Sequence, residues 1–298
     1  MFRGSVAVAA GWLTAAHLRT SAFRRLFRDV YLDARWKVDH GVLAKGAALL
    51  LPEGAAITGR SAAWLWGARL DPPQTVEVVS PVPFGPVRGL TIRIGETGEV
   101  TRCAGVPVTT PERTAWDLGR WLPLSEAVPW IDALARAHRL TTGGLVTYAK
   151  AQRRMPGSRR ALHAVQRSDP RAESPPESIL RLEFHEAGIM VIPQYWIFHG
   201  NHAIARADLA LPAERLAIEY DGAWHAGADQ LSRDRTRMRD IVAAGWELFP
   251  VTSQDMRNIP YLLGSVCQAI ARRRRSSATA GDQGVVVVRG QDQATISP

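Results

Sequence analysis

Lysine is nearly absent from this chain. Of 37 basic residues only Lys37, Lys45 and Lys150 are lysine, so arginine carries the positive charge and no lysine follows position 150. That excludes a lysine base anywhere after residue 150. Cysteine is scarce too, with Cys103 and Cys267 alone. Two thiols make neither a disulfide framework nor a zinc cluster, and they fit a reducing cytoplasm. No apolar run approaches 18 residues, so no transmembrane helix is expected. The opening "MFRGSVAVAAGWLTAAHL" has an apolar part too short for a secretory leader, and it leads directly into charged, helix-like sequence. Internal repeats are lacking. What remains is 298 residues with a 46% hydrophobic and 22% charged share, the composition of a soluble globular protein with room for two domains.

Charge is unevenly spread. Residues 1–168 hold 23 basic and 12 acidic side chains, and residues 169–298 hold 14 and 16. A cationic half suits a polyanion such as nucleic acid, although an arginine bias also arises from genome composition. The Ser-, Pro- and charge-rich "QRSDPRAESPPES" at 166–178 is the expected boundary. Near the start, "GWLTAAHLRTSAFRRLFRDVYLD" reads as helix, turn, helix, strand, with Thr14 and Ser21 as N-caps. The second helix would bury Phe23, Leu26 and Phe27 and project Arg24, Arg25 and Arg28. A winged helix-turn-helix sets such a short basic helix in the major groove; a solvated basic face on a small helical subdomain is the other reading.

The middle reads as mixed α/β. "AAITGRSAAWLWGA" is expected to be helical with Trp64 and Trp66 in the core. "TVEVVSP" and "LTIRI" are strands, and "TTPERTAWDLGRWL" is a helix opened by Thr110 and Pro111. Two or three helices follow. No catalytic constellation is visible in this half.

After residue 174 the order reads αβββαβ. The helix "SPPESILRLEFHEAG" precedes strands "MVIPQYWIF", "AIARADLAL" and "RLAIEYDG", then the helix "DQLSRDRTRMRDIVAAG" and the strand "WELFPVT". Alternation puts Arg206 and Asp208 on one face of their strand, and Glu219 and Asp221 on one face of the next, roughly 7 Å apart at about 3.3 Å per residue. Antiparallel pairing across the tight "PAE" turn brings Asp208 beside Glu219. Converging carboxylates need a counter-ion, and oxygen-only ligands favour a hard cation, Mg²⁺ or Mn²⁺. Such an ion activates water and polarises a phosphodiester.

"RADLALPAERLAIEYDGAWH" with "DRTRMRDIVAAGWELFPVT", preceded by "ESPPESILRLEFHEAGI", resembles the PD-(D/E)xK nuclease superfamily over about residues 171–256. The similarity is to its branch of bacterial domains related to very-short-patch mismatch repair endonucleases. It implies Asp208 and Glu219 as metal ligands with Asp221 beside them. It also implies Glu177 as the helix carboxylate, His225 as a proton-transfer group, and Asp234 and Arg237 as the "DxxR" of the following helix. The family's lysine is replaced by Asp221. Arg206 could offset charge on a phosphate but not act as base, which leaves His225. Structural readings stand beside these: Glu177 completing an S-x-x-E capping box with Ser174, Asp234–Arg237 as a helix-face pair, and His225 as a packed loop histidine. His199 and His202 fall at a hairpin turn.

"GWLTAAHLRT…RRLFRDVYLD" and "ITGRSAAWLWG" are similar to the antitoxins of abortive-infection type E, or type IV toxin–antitoxin, systems over about residues 5–150. That similarity implies a winged-helix DNA binder followed by an α/β domain. The expected fold class is α/β: a winged-helix-like region at 1–40, a mixed α/β region at 41–168, a restriction-endonuclease-like core at 171–272 and a disordered tail at 273–298. The expected function is a cytoplasmic Mg²⁺-dependent DNA endonuclease, the alternative being a non-enzymatic DNA-binding regulator or antitoxin whose nuclease fold is inactive. A partner-binding module is a third reading. Expected partners are DNA and either a toxin protein or a second copy of the chain, with no membrane.

Overall fold

The structure, a computed structural model, describes residues 1–221 and 237–282, with side chains described as far as Ser276. It is an α/β fold in two compact units, Met1–Leu182 and Glu183–Pro298.

The N-terminus differs from the helix-turn-helix expected of it. Strand β1 (Phe2–Arg3) leads into a short helix α1 (Gly4–Ala9), a 3₁₀ turn (His17–Arg19) and two strands, β2 (Phe23–Phe27) and β3 (Val30–Asp33). They form an antiparallel sheet in the order β1-β3-β2. Thr14 does cap, accepting the His17 amide at 3.2 Å, but it opens only the 3₁₀ turn. No helix starts at Ser21, and Arg24 and Arg25 lie on β2. The spacing of Phe23, Leu26 and Phe27 imitates a helix because the register slips between Arg25 and Phe27, a bulge that inserts one residue and breaks the strand's alternation. Arg28 and Asp29 close the hairpin, Asp29 in the left-handed region at φ 64°, which Asp tolerates better than most residues. Its carboxylate accepts Ser5 N and Ser5 Oγ, both at 2.6 Å, and Arg3 Nε at 2.9 Å. Burial works to raise this carboxyl's pKa, but those hydrogen bonds and the Arg3 charge outweigh it and hold the value low.

Helix α2 (His40–Ala48) is capped by Asp39, whose Oδ1 accepts Val42 N at 2.8 Å. A five-stranded mixed sheet follows in the order β6-β5-β4-β8-β7, from β4 (Ala56–Ile57), β5 (Val76–Ser80), β6 (Leu90–Ile94), β7 (Val100–Cys103) and β8 (Val106–Thr109). Next to the central strand, β5 is buried along its whole length. Within "AAITGRSAAWLWGA" the chain is strand first and then helix α3 (Gly59–Leu65). Helix α4 (Pro111–Trp121) opens as expected, with Thr110 Oγ1 accepting Arg113 N and Pro111 in the first turn, where its missing N–H costs nothing. Helices α5 (Leu124–His138), α6 (Thr142–Ala151) and α7 (Ser158–Gln166) complete a core around Trp116, Leu118, Ile131 and Leu134, with Trp64 and Trp66 packed against it. Gly119 lets α4 and α7 touch backbone to backbone: a Cβ there would stand 2.9 Å from Ala161 Cα.

Helix α8 (Pro175–Glu186) spans the division between the units. In the second unit a four-stranded sheet has the order β12-β11-β10-β9. Strands β9 (Ile192–His199), β10 (His202–Leu211) and β11 (Leu216–Asp221) are antiparallel, and β12 (Glu247–Thr252) runs parallel to β11. Parallel neighbours need a crossover, and its described part is helix α9 over residues 237–243. The order αβββαβ is the one read from the sequence. Helix α10 (Ile259–Asp282) continues beyond residue 273, where a disordered tail had been expected to begin. Residues 283–298 lie outside the described residues. No described helix is long and apolar enough to cross a membrane.

Candidate functional site

The carboxylates of the second unit meet as the turn geometry requires. Leu209 pairs with Ile218 across β10 and β11, which sets Asp208 next to Glu219. Their oxygens are engaged by protein groups. Asp208 Oδ2 accepts Tyr220 N at 2.9 Å. Both oxygens of Glu219 face the Arg237 guanidinium of α9, Nη1 reaching Oε2 at 3.1 Å and Nη2 bonding Oε1. That fork is the strongest arrangement an arginine–carboxylate pair adopts. Arg237 Nη2 also donates to the Arg206 carbonyl at 3.1 Å, tying α9 to two strands. The Arg206 guanidinium lies 5.7 Å from the Trp196 ring centroid, a cation–π contact on the sheet face it shares with Asp208.

Asp221 ends β11 and is exposed. His225 and Asp234 lie outside the described residues. Glu177 belongs to the first unit and is buried in its own helix cap: Ser174 Oγ donates to Oε1 at 2.7 Å and Glu173 N to Oε2 at 3.0 Å. The capping box accounts for those contacts. Among the described residues no group of three or more His, Cys, Asp or Glu side chains could hold a metal ion. Beside Glu219 the compensating positive charge is supplied by the Arg237 guanidinium.

Arg24, Arg25 and Arg28 remain together and exposed on the β2–β3 hairpin. Arg25 Nε donates to the Phe27 carbonyl at 3.2 Å, across the bulge. Exposed Trp12 and Trp36 belong to the same N-terminal region. Beside the hairpin's end, Arg35 hydrogen-bonds Asp33 and holds its carboxyl down at about 2, so this pair stays ionised at all ordinary pH.

Two buried polar clusters in the first unit escaped the sequence reading. In one, Asp117 accepts Thr58 Oγ1 at 2.6 Å and Arg113 Nε at 3.1 Å, with Arg120 Nε 2.9 Å away; the two guanidiniums also lie over Trp116, at 5.0 and 4.2 Å. In the other, His40 Nε2 is 2.8 Å from Ser61 Oγ, which accepts Glu77 N at 2.9 Å, while Glu77 pairs with Arg60. Ser61 is fully buried and committed to the β5 backbone, so this histidine–serine contact organises the core and has no route to a substrate. Gly59, at φ 57°, is required there: a Cβ would overlap the Glu77 carboxylate. The signal for the first cluster was present in "RTAWDLGR", where Arg113, Asp117 and Arg120 share a helix face.

Compared with known proteins, residues 55–165 match the family described as the AbiEi antitoxin C-terminal domain. Two uncharacterised proteins of Mycobacterium tuberculosis, from strains CDC 1551 / Oshkosh and ATCC 25618 / H37Rv, are each 30% identical over 224 residues. The alignments cover 74% of this chain and 82% of theirs.

Proposed function

Because the chain belongs to the same family as those two mycobacterial proteins, and its middle carries an AbiEi antitoxin C-terminal domain, we propose that it is a DNA-binding antitoxin-type regulator that acts by binding, without turnover. The observation that carries this reading is the extent of the match. Residues 55–165 take in the five-stranded sheet and helices α3 to α6 whole, and most of α7. A toxin protein as partner follows from the same domain.

The exposed arginines of the β2–β3 hairpin supply the DNA contact. A two-stranded ribbon enters the major groove as readily as a helix does, and Arg24 and Arg28 project cations that neutralise phosphate. The Glu219–Arg237 fork supports the absence of turnover, since a carboxylate satisfied by a guanidinium has no need of a dication.

A test measures binding to duplex DNA from the protein's own upstream region across a salt series, with Arg24→Gln/Arg28→Gln as the control. Wild-type affinity should fall linearly on log–log axes, and the variant's slope should be shallower by about 2. A protein that binds no duplex at any salt concentration contradicts the reading.

A second reading keeps one specific observation in its favour: the αβββαβ order with Asp208 set beside Glu219 across β10 and β11. It is tested by incubating supercoiled plasmid with Mg²⁺ or Mn²⁺ and the wild type, Asp208→Ala or Glu219→Ala. Nicking by the wild type alone would replace the binding reading with an endonuclease.

A further inference from the structure

Residues 133–168 contain eight arginines and lysines and no Asp or Glu. This one segment supplies most of the excess positive charge of residues 1–168, and it is folded rather than a loose tail, since it forms the end of α5 and the whole of α6 and α7. Five of the eight, Lys150, Arg153, Arg154, Arg159 and Arg160, cluster about the α6–α7 turn. Lys150, Arg153 and Arg154 border an open recess of about 550 Å³, together with Gln152 and Met155. The turn is stiff: Met155 N donates to the Gln152 carbonyl at 3.0 Å, Ser158 N to the Met155 carbonyl at 3.2 Å and Ser158 Oγ to the Gln152 carbonyl at 2.6 Å. Arg159 follows at once, and it is exposed.

Helix stability does not explain these placements. Arg159 and Arg160 sit in the first turn of α7, where the positive end of the helix disfavours cations. Arg160 is held by its bond to the Leu122 carbonyl at 2.9 Å, whereas Lys150, Arg153 and Arg154 are exposed at the recess and Arg159 is exposed at the start of α7. No large apolar side chain of this segment is exposed. A protein partner would ordinarily need such an anchor at the centre of its interface; a phosphate backbone needs only positive charge and donors at a fixed spacing.

We propose that the α6–α7 turn, through Lys150, Arg153, Arg154 and Arg159, is a second DNA-contact surface that grips the phosphate backbone without reading sequence. The surface rests on the DNA-binding reading above, but it is separate from the hairpin that reading uses. Arginine suits the role, since its planar fork addresses two phosphate oxygens at once.

The deciding experiment uses the full chain and a 30-base-pair duplex of arbitrary sequence, with affinity measured by fluorescence anisotropy over a salt series. Wild type is compared with Lys150→Gln/Arg153→Gln/Arg154→Gln/Arg159→Gln and with Arg24→Gln/Arg28→Gln, after thermal melts confirm that all three fold. The expected result is a log–log slope shallower by about 3 to 4 in the fourfold variant, and by about 2 in the hairpin variant. A fourfold variant with the wild-type slope overturns the proposal and leaves DNA binding intact, and loss of binding to polyglutamate in that same variant would then assign the turn to an acidic protein. A slope that falls only in the fourfold variant supports this surface and removes the hairpin from the reading above. Failure of the wild type to bind any duplex overturns both.

Discussion

The two units handle the same chemical pair, a carboxylate with arginine, in opposite ways. Asp117 is enclosed by Arg113, Arg120 and Thr58, and the ion pairs are almost fully buried, with side-chain exposures of 3%/0% and 9%/0%. Burial pushes the Asp117 carboxyl up while the two guanidinium charges pull against it. Glu219 meets Arg237 where both see solvent, at 18% and 38% exposure. The first arrangement is structural, because none of its members can leave without stranding a charge in a dry interior. The second is releasable, since water can solvate either partner. The first unit thus buries this pair in its core, while the C-terminal sheet leaves its pair partly open to solvent.

The sharpest way to break that contrast is Asp117→Ala. It leaves two buried guanidiniums uncompensated and should cost about 3–5 kcal/mol, read from urea unfolding by tryptophan fluorescence. A loss under about 1 kcal/mol would place Asp117 in the same class as Glu219.

Next in size is a pH effect within the first unit. Asp132 is buried beside Arg181, whose Nη2 reaches Oδ2 at 2.7 Å, and burial raises its carboxyl to about 6 against the pull of Arg181 and Ser178. Between about pH 4 and pH 6 the folded chain holds a proton that the unfolded chain, with a carboxyl near 3.9, has released. This group therefore adds stability as pH falls through that window, by about 1–3 kcal/mol. His40 runs the other way. Burial holds its imidazole below the ordinary value despite Glu77 and Asp39, so the unfolded chain takes up the proton first and stability is lost as pH drops past about 6.5. The two slopes oppose each other in the wild type, and Asp132→Asn should expose the downward one. Urea midpoints at pH 7.5, 6 and 5 decide it, and identical pH dependence in both proteins would refute the assignment.

The smallest expected effect is Glu219→Gln, about 0–1 kcal/mol for a partly exposed pair. A cost above about 2 kcal/mol would show that Arg237 fastens α9 to the sheet as firmly as Arg113 fastens α4, and the contrast between the units would collapse.

What was legible in the residues follows these same lines. Strands β9 to β12 were readable because alternation and short turns are local signals, and the neighbourhood of Asp208 and Glu219 followed from one tight turn. The N-terminal hairpin was misread because a single bulge at Leu26 gives a strand the apolar spacing of a helix. The role of Arg237 toward Glu219 was hidden, since only a side chain reaching from α9 to β11 reveals it. The Asp117 cluster depends on Thr58, 59 positions away, and the His40–Glu77 cluster on the left-handed turn at Gly59, neither of which a local pattern announces.

The missing side chain at Gly119 has a mechanical consequence. Helices α4 and α7 meet there with no cushion between their backbones, so their separation is set by a single hydrogen atom. Replacing it with a methyl group would lever α7 outward and shift the arginine at its start relative to the lysine at the end of α6. The spacing of the cations at that turn is therefore adjustable from the opposite side of the helix, without altering a single charge.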